Sequence, residues 1–326
     1  MDLHPDFYPS DFIFSKYLNL ILNSELDTPN LGDNIPIPHF SGKIIQQLCQ
    51  ETISALKKSP ILLHIDSNLI ILGDIHGNLP TLIRCLGIFG LPPQRKYLFL
   101  GNYINFGEYS IEVITLLFAL KCHFPNDIFL LRGLNEHYPI NIMNGLSDEI
   151  NEIYEDTHIL DSIYKVFSYL PLAALVKNTI LCTQLRTLTD STLMNSILTG
   201  RLPFPISPRD GFQGYTDSAD HLTEPLLNTF LQKYPQYSTF VCGGDSDAGT
   251  FKNVSKGKGF ALSMCEADSI AAILLVENDS PPSPMSFNTP PIVNRTSAIF
   301  SDLCVRTLDF TDVSPLYPVT ILPKRT

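Results

Sequence analysis

Residues 72–79 read LGDIHGNL, so Asp74 and His76 stand two apart behind an apolar run, with Gly73 and Gly77 beside them. A carboxylate and an imidazole at this spacing, at the end of a strand, can converge on one divalent cation, and flanking glycines let backbone and ligand approach closely. The same residues can form a turn closed by an Asx-type hydrogen bond, and the motif alone does not decide between the two. Two more polar loops follow it, GNYINFG at 101–107 and RGLNEH at 132–137.

The elements that position these loops are legible from periodicity. Residues 14–26 and 43–58 carry apolar side chains at helical spacing, the second after Ser41-Gly42, a cap. PILLHI (60–65) and NLIILGD (68–74) read as short buried strands; 79–90 reads as a helix, 96–102 as a strand, 110–124 as a helix and 127–136 as a strand running into a loop. This β-α-β-α-β alternation implies a largely parallel sheet with crossover helices, whose site lies in the crevice beyond the carboxyl ends of the strands. From about residue 178, NTILCT, STFVCGG, GFALSM and SIAAILLVEN imply a second sheet. The proline-rich stretch 279–293 ends the core, and the remainder to Thr326 reads as an irregular tail.

Composition narrows the class. The chain has 326 residues, 44% hydrophobic and 17% charged, enough for one large core or two modest ones. Its formal charge is -11 and it lacks a dense basic run, which argues against nucleic acid as a partner. The start, MDLHPDFYPSDF, has neither the basic residues nor the apolar core of a signal peptide, and no apolar stretch reaches membrane-spanning length. No membrane association is expected, and the expected location is the cytoplasm or nucleus. Seven cysteines without a CxxC pair read as reduced, buried small hydrophobes.

Over roughly residues 40–280 the chain resembles the phosphoprotein phosphatase family of serine/threonine phosphatases, protein phosphatase 1-like members especially. The resemblance rests on PILLHIDSNLIILGDIHGNLPTLIRCL, PPQRKYLFLGNYINFGEYSIEVITLLFALKCHFPNDIFLLRG, INIMNGLSDEI and FSYLPLAALVKNTILC. It implies a calcineurin-like metallophosphoesterase fold of mixed α/β class, with two mixed β-sheets packed as a sandwich flanked by helices. On this reading 41–280 form the phosphatase-like domain, 1–40 a helical segment before it and 281–326 a Pro-rich irregular tail. The reaction it implies uses two divalent cations, bridged by an aspartate and by the water or hydroxide that attacks phosphorus in line. Such cations repel unless anionic ligands lie between them.

Against the family motifs the chain departs sharply. GDxHG is intact, so Asp74 and His76 match two ligands of the first metal. GDxxDRG has become GNYINFG: Asn102 stands at the bridging aspartate, Asn105 at the aspartate that orients the catalytic acid, and Phe106 at the arginine that grips phosphoryl oxygens. GNHE has become GLNE, with Leu134 at a metal-binding asparagine and Asn135 at the histidine that protonates the leaving group. A one-residue shift would make Asn135 a ligand and His137 the acid; the ungapped continuation through Ile140, Asn141, Gly145, Asp148 and Glu149 argues against it. Gln184 falls at a metal-binding histidine, and a later histidine falls near Asp245, which remains able to bind a cation.

The expectation is a pseudophosphatase with its second metal site dismantled. Asp74 and His76 then either hold one weakly bound divalent cation (Mn2+, or Fe/Zn) or form a hydrogen-bonded turn with no cation. Arg132 is read as a structural donor, Phe106 and Leu134 as packing in a vacated cavity, and Glu136 and His137 as solvated loop groups. Two functions follow: an interaction module engaging phosphatase regulatory subunits or phosphoproteins, or a serine/threonine phosphatase working with an altered metal site.

Overall fold

The computed structural model describes residues 7–137, 145–154, 158–202, 204–206, 221–245, 250–264, 270–278 and 280–303. The first sheet is built from Leu69–Leu72 (β3), Tyr97–Phe99 (β4), Ile128–Leu130 (β5), Ile270–Val276 (β11) and Ser283–Asn288 (β12), in the order β12-β11-β3-β4-β5. Strands β3, β4 and β5 are parallel, with Ile71 opposite Leu98 and Leu98 opposite Phe129, while β11 runs antiparallel to β3 and β12 antiparallel to β11. The second sheet contains Leu62–Ile65 (β2), Ala173–Val176 (β6), Ile180–Gln184 (β7), Thr239–Gly243 (β8), Phe251–Val254 (β9) and Gly259–Leu262 (β10), in the order β2-β6-β7-β8-β10-β9.

Side-chain alternation explains how the layers meet. Along β3, Leu69 and Ile71 turn to one face and Ile70 and Leu72 to the other, as a pleated strand buried on both sides requires. Leu69, Ile71, Leu98 and Leu274 join Leu63, Ala174, Cys182, Val241 and Phe260 of the second sheet in one buried layer, so the sheets pack face to face. Ile70, Leu72, Tyr97 and Phe99 point outward against helices. These are Pro9–Leu22 (α1), the short Ser24–Asp27 (α2), Gly42–Leu56 (α3), Leu79–Phe89 (α4), Ser110–His123 (α5), Leu146–Ile153 (α6) and His158–Ser168 (α7). Helix α5 is buried on nearly every side, which fits its almost unbroken apolar sequence. Behind the second sheet, Leu185–Thr189 (α8), Ser191–Leu198 (α9) and Glu224–Lys233 (α10) cover Leu181, Phe240 and Ala261. The result is the expected sandwich of two mixed sheets between helical layers. Among the described residues no helix is long and apolar enough to cross a membrane.

Two expectations are corrected. The segment SIAAILLVEN joins the first sheet, because β11 pairs with β3 and closes its antiparallel side. Residues 281–303 are not irregular throughout: β12 forms the sheet edge, and Phe300–Leu303 (β13) pairs in parallel with Ile37–Phe40 (β1). An edge strand tolerates Pro284, because only one of its sides is paired. The tail beyond Leu303 lies outside the described residues.

Candidate functional site

All three polar loops emerge at the carboxyl ends of parallel strands: 73–78 after β3, 101–109 after β4 and 131–137 after β5, with the ends of β7 and β8 beside them. Their mutual approach depends on glycine. A Cβ on Gly133 would lie 2.1 Å from Asn102 N and 2.5 Å from Glu136 Oε2, and Gly101, at φ 105°, faces the Gly133 backbone equally closely. His76 (φ 47°), Asn102 (54°), Asn105 (67°) and Phe106 (64°) all occupy the left-handed region, which asparagine adopts more readily than phenylalanine.

Hydrogen bonds link the residues at the former ligand and acid positions. Asn102 Nδ2 donates to Gln184 Oε1 at 3.3 Å, and Gln184 Nε2 donates to the Leu100 carbonyl at 2.6 Å. Asn102 Oδ1 accepts from Asn135 N at 3.0 Å, and Asn135 Nδ2 donates to His76 Nδ1 at 3.0 Å. The same Nδ1 lies 3.2 Å from the Ile104 carbonyl, so one neighbour can only donate to it and the other only accept from it, while Nε2 stands 3.9 Å from Asp74 Oδ2. Asp74 accepts from Gly244 N with both oxygens, at 3.1 and 2.9 Å. Burial holds its carboxyl above the usual carboxylate range, against the opposing pull of His76, Gly244 N–H, Gln184 and Asn102.

The remaining positions fare differently. Asn105 does not reach Asn135; its Oδ1 accepts from Leu146 N at 3.1 Å, at the start of α6. Phe106 fills no cavity. It is 71% exposed, its ring edge-on to His76 at 5.2 Å, because the left-handed backbone swings it outward. Leu134 is half-buried. Asp245 is buried but engaged elsewhere, accepting from Leu222 N at 2.7 Å and Lys252 Nζ at 3.3 Å and lying 3.5 Å from His221 Nδ1. Arg132 is a structural donor, its guanidinium reaching the Ile206 carbonyl at 3.0 Å, with burial pulling it down to about 10.

Glu136 and His137 are buried rather than solvated. Glu136 Oε2 accepts from Asn102 N (2.9 Å) and Gly133 N (2.8 Å), and Oε1 from Tyr103 N (2.8 Å), so this carboxylate ties the second loop to the third. Burial pushes it up to about 7 despite those donors, with the Asp74 charge adding to the rise. The retained last letter of GLNE carried the signal for this role. Sequence reasoning also missed an ion cluster beside the site. Arg295 Nη1 and Nη2 pair bidentately with Glu112 at 2.9 and 3.0 Å, and Nη1 also meets Glu149 Oε1 at 2.9 Å.

The donor set does not fit the two-metal centre that the resemblance implies. The amide oxygens of Asn102 and Gln184 each already accept a hydrogen bond and carry no charge, Leu134 has no donor atom, and the Asp245 charge is met by Lys252. Among the described residues no three His, Cys, Asp or Glu side chains are grouped to hold a metal ion.

Residues 67–245 match the profile of the calcineurin-like phosphoesterase family. The serine/threonine-protein phosphatase PP2A-like PPG1 of Candida albicans is 36% identical over 156 residues, 47% of this chain and 38% of that protein. The serine/threonine-protein phosphatase PP1-delta of Caenorhabditis elegans is 35% identical over 138 residues, 42% of this chain and 45% of that protein. The match therefore spans less than half the length of either relative. A protein serine/threonine phosphatase structure from Saccharomyces cerevisiae, with similarity to human phosphatase PP5, superposes with a TM-score of 0.66 at 18% identity, over 86% of this chain and 97% of that one, a likeness of fold. The chain belongs to the calcineurin-like phosphoesterase family, and its homology runs to the serine/threonine protein phosphatases within it.

Proposed function

We propose that this protein is a serine/threonine-phosphatase-like module whose hydrolytic centre is disabled, and that it acts by binding, with regulatory subunits or phosphoproteins as its partners in the cytoplasm or nucleus. One observation carries the reading: the Gln184–Asn102–Asn135–His76 chain of hydrogen bonds satisfies the groups at former ligand positions without a cation. An amide at 102 supplies no charge to bridge two cations, and the loss of a general acid alone costs about two to four orders of magnitude in rate. The missing arginine at 106 removes the bidentate grip on phosphoryl oxygens as well. The test is hydrolysis of a phosphoserine peptide and of p-nitrophenyl phosphate with added Mn2+. Release of phosphate at the rate of a blank supports the reading, and turnover well above it defeats it.

The intact Asp74 and His76, 3.9 Å apart, favour a second reading as a phosphatase with an altered single-metal site. It requires a stoichiometric divalent metal in the purified protein and activity lost in Asp74→Ala.

A further inference from the structure

A cavity of about 350 Å3 lies on the open side of the sandwich, where β2 ends the second sheet and β5 ends the first. Leu63 of β2 and Phe129 and Leu130 of β5 line it, together with the end of α3, the turn between α5 and β5, and Pro171. None of these residues belongs to the three polar loops, so the former phosphatase centre does not account for the cavity. Among the described residues that line it there is no aspartate or glutamate, yet there are two lysines, Lys58 and Lys121, in a chain of formal charge -11.

Lys121 carries the argument. It is 5% exposed, and a buried ammonium needs an anionic partner to offset its desolvation. Its Nζ donates to the Pro125 carbonyl at 2.7 Å and the Ile128 carbonyl at 2.9 Å, both neutral, which leaves the third N–H donor without an acceptor among the described residues. No carboxylate among those residues lies within ion-pair distance of it, and the nearby Asp127 pairs with Lys96 at 3.3 Å instead. The Phe129 ring stands 5.6 Å from Nζ. Pro125 and Phe129, which flank the ammonium, both line the cavity, so the head and not only the stem of Lys121 lies at its wall. Burial pulls Lys121 down to about 8, with Cys122 and Asp127 opposing the fall, so the group is largely cationic at neutral pH.

The remaining walls set the partner's chemistry. Leu56, Leu63, Leu130 and Pro171 are buried apolar surface, while Ser59 and Asn126 add side-chain donors. Such walls favour a carboxylate on a hydrocarbon body over a phosphate, whose larger charge costs more to desolvate. The volume, near the lower end of the range for small-molecule sites, limits that body to a short one. We propose that this cavity binds a small organic acid, its carboxylate on Lys121 Nζ with the exposed Lys58 as a second positive charge, and its apolar body against Leu56, Leu63 and Leu130. The site goes beyond the binding-module reading and is independent of it.

Isothermal titration calorimetry of the full chain with octanoate, beside octanamide as the uncharged analogue, is the experiment. Saturable binding at one site is expected, weakened about tenfold or more for the amide, as loss of one charge-assisted hydrogen bond requires. Lys121→Met should weaken octanoate binding as much. Because that change also strands two carbonyls, Ala55→Phe serves as a second variant, which removes no side-chain hydrogen bond and fills the cavity from α3. Lys165→Gln, which removes an exposed lysine on α7, should leave the affinity unchanged. Raising the pH from about 7 to about 9 should weaken binding as Lys121 gives up its proton. Absence of saturable binding, equal binding of octanamide, or octanoate held by Ala55→Phe as tightly as by the native chain overturns the proposal. The readout needs no turnover, so hydrolytic activity would defeat the disabled-centre reading while leaving this site standing, and failure to bind octanoate leaves that reading untouched.

Discussion

Asn102→Asp restores a carboxylate at the bridging position, and the structure allows its cost to be worked out. Asn102 Nδ2 now donates to Gln184 Oε1 at 3.3 Å. An aspartate has no such donor, and Gln184 cannot turn its amide to compensate, because its Nε2 is held by the Leu100 carbonyl at 2.6 Å. One buried pairing is lost either way, about 1–3 kcal/mol. The Asn102 side chain is close enough to Asp74 to pull its carboxyl downward, so a carboxylate at 102 faces an existing one. Two like charges about 4 Å apart at an effective dielectric near 20 repel by about 4 kcal/mol, an upper limit because one of them can take a proton. The sum is about 5–7 kcal/mol with both ionised and less when one is protonated. The pair's folded-state pKa is raised above its unfolded value, so the folded state holds the extra proton. The deficit is therefore small below the ordinary carboxylate range and grows as pH rises through the raised value. Urea denaturation in EDTA at about pH 5 and about pH 8 reads this directly. A variant as stable as the native protein at the higher pH would show that the amide network does not hold the site together.

Four further outcomes follow from the structure. Glu136→Gln turns an NH2 toward at least one of the Asn102, Tyr103 and Gly133 N–H groups and should cost about 1–3 kcal/mol in urea denaturation. Because burial raises Glu136 to about 7, native stability should decline as pH rises from the ordinary carboxylate range toward that value, and the same variant should flatten the slope. Arg295→Gln strands Glu112, which is 2% exposed, beside Glu149 and should cost about 3–5 kcal/mol, read as a fall in Tm. The thiols of Cys49, Cys85, Cys182 and Cys242 are buried and pushed well above their ordinary range, so iodoacetamide should label them only after unfolding.

Much of this architecture is legible in local sequence because it is local in origin. The runs 69–72, 97–99 and 128–130 alternate between two cores, and the loops that follow them hold the site. What escaped is set by distant partners. Strand β11 joins β3 across some two hundred residues, and no periodicity reveals which sheet a buried strand enters. The Pro-rich 283–288 pairs because it lies at an edge. At the site, the substitutions at 102, 134, 135 and 184 are visible as letters, yet that amides at 102, 135 and 184 bond to one another is not. Phe106 reads as core and stands 71% exposed, since its left-handed backbone aims it outward. Arg295 meets Glu112 and Glu149 over separations of 183 and 146 residues, beyond any motif.

The central claim is that hydrogen bonds among the protein's own amides, and not cations, satisfy the former metal centre. Titration of metal-stripped protein with Mn2+, followed by calorimetry and by Tm, tests it most directly. No stoichiometric binding at micromolar affinity and an unchanged Tm are expected. One or two equivalents bound, with Tm raised by the amount that linkage requires (about 2.7 kcal/mol of added stability at a hundredfold excess over Kd), would contradict it.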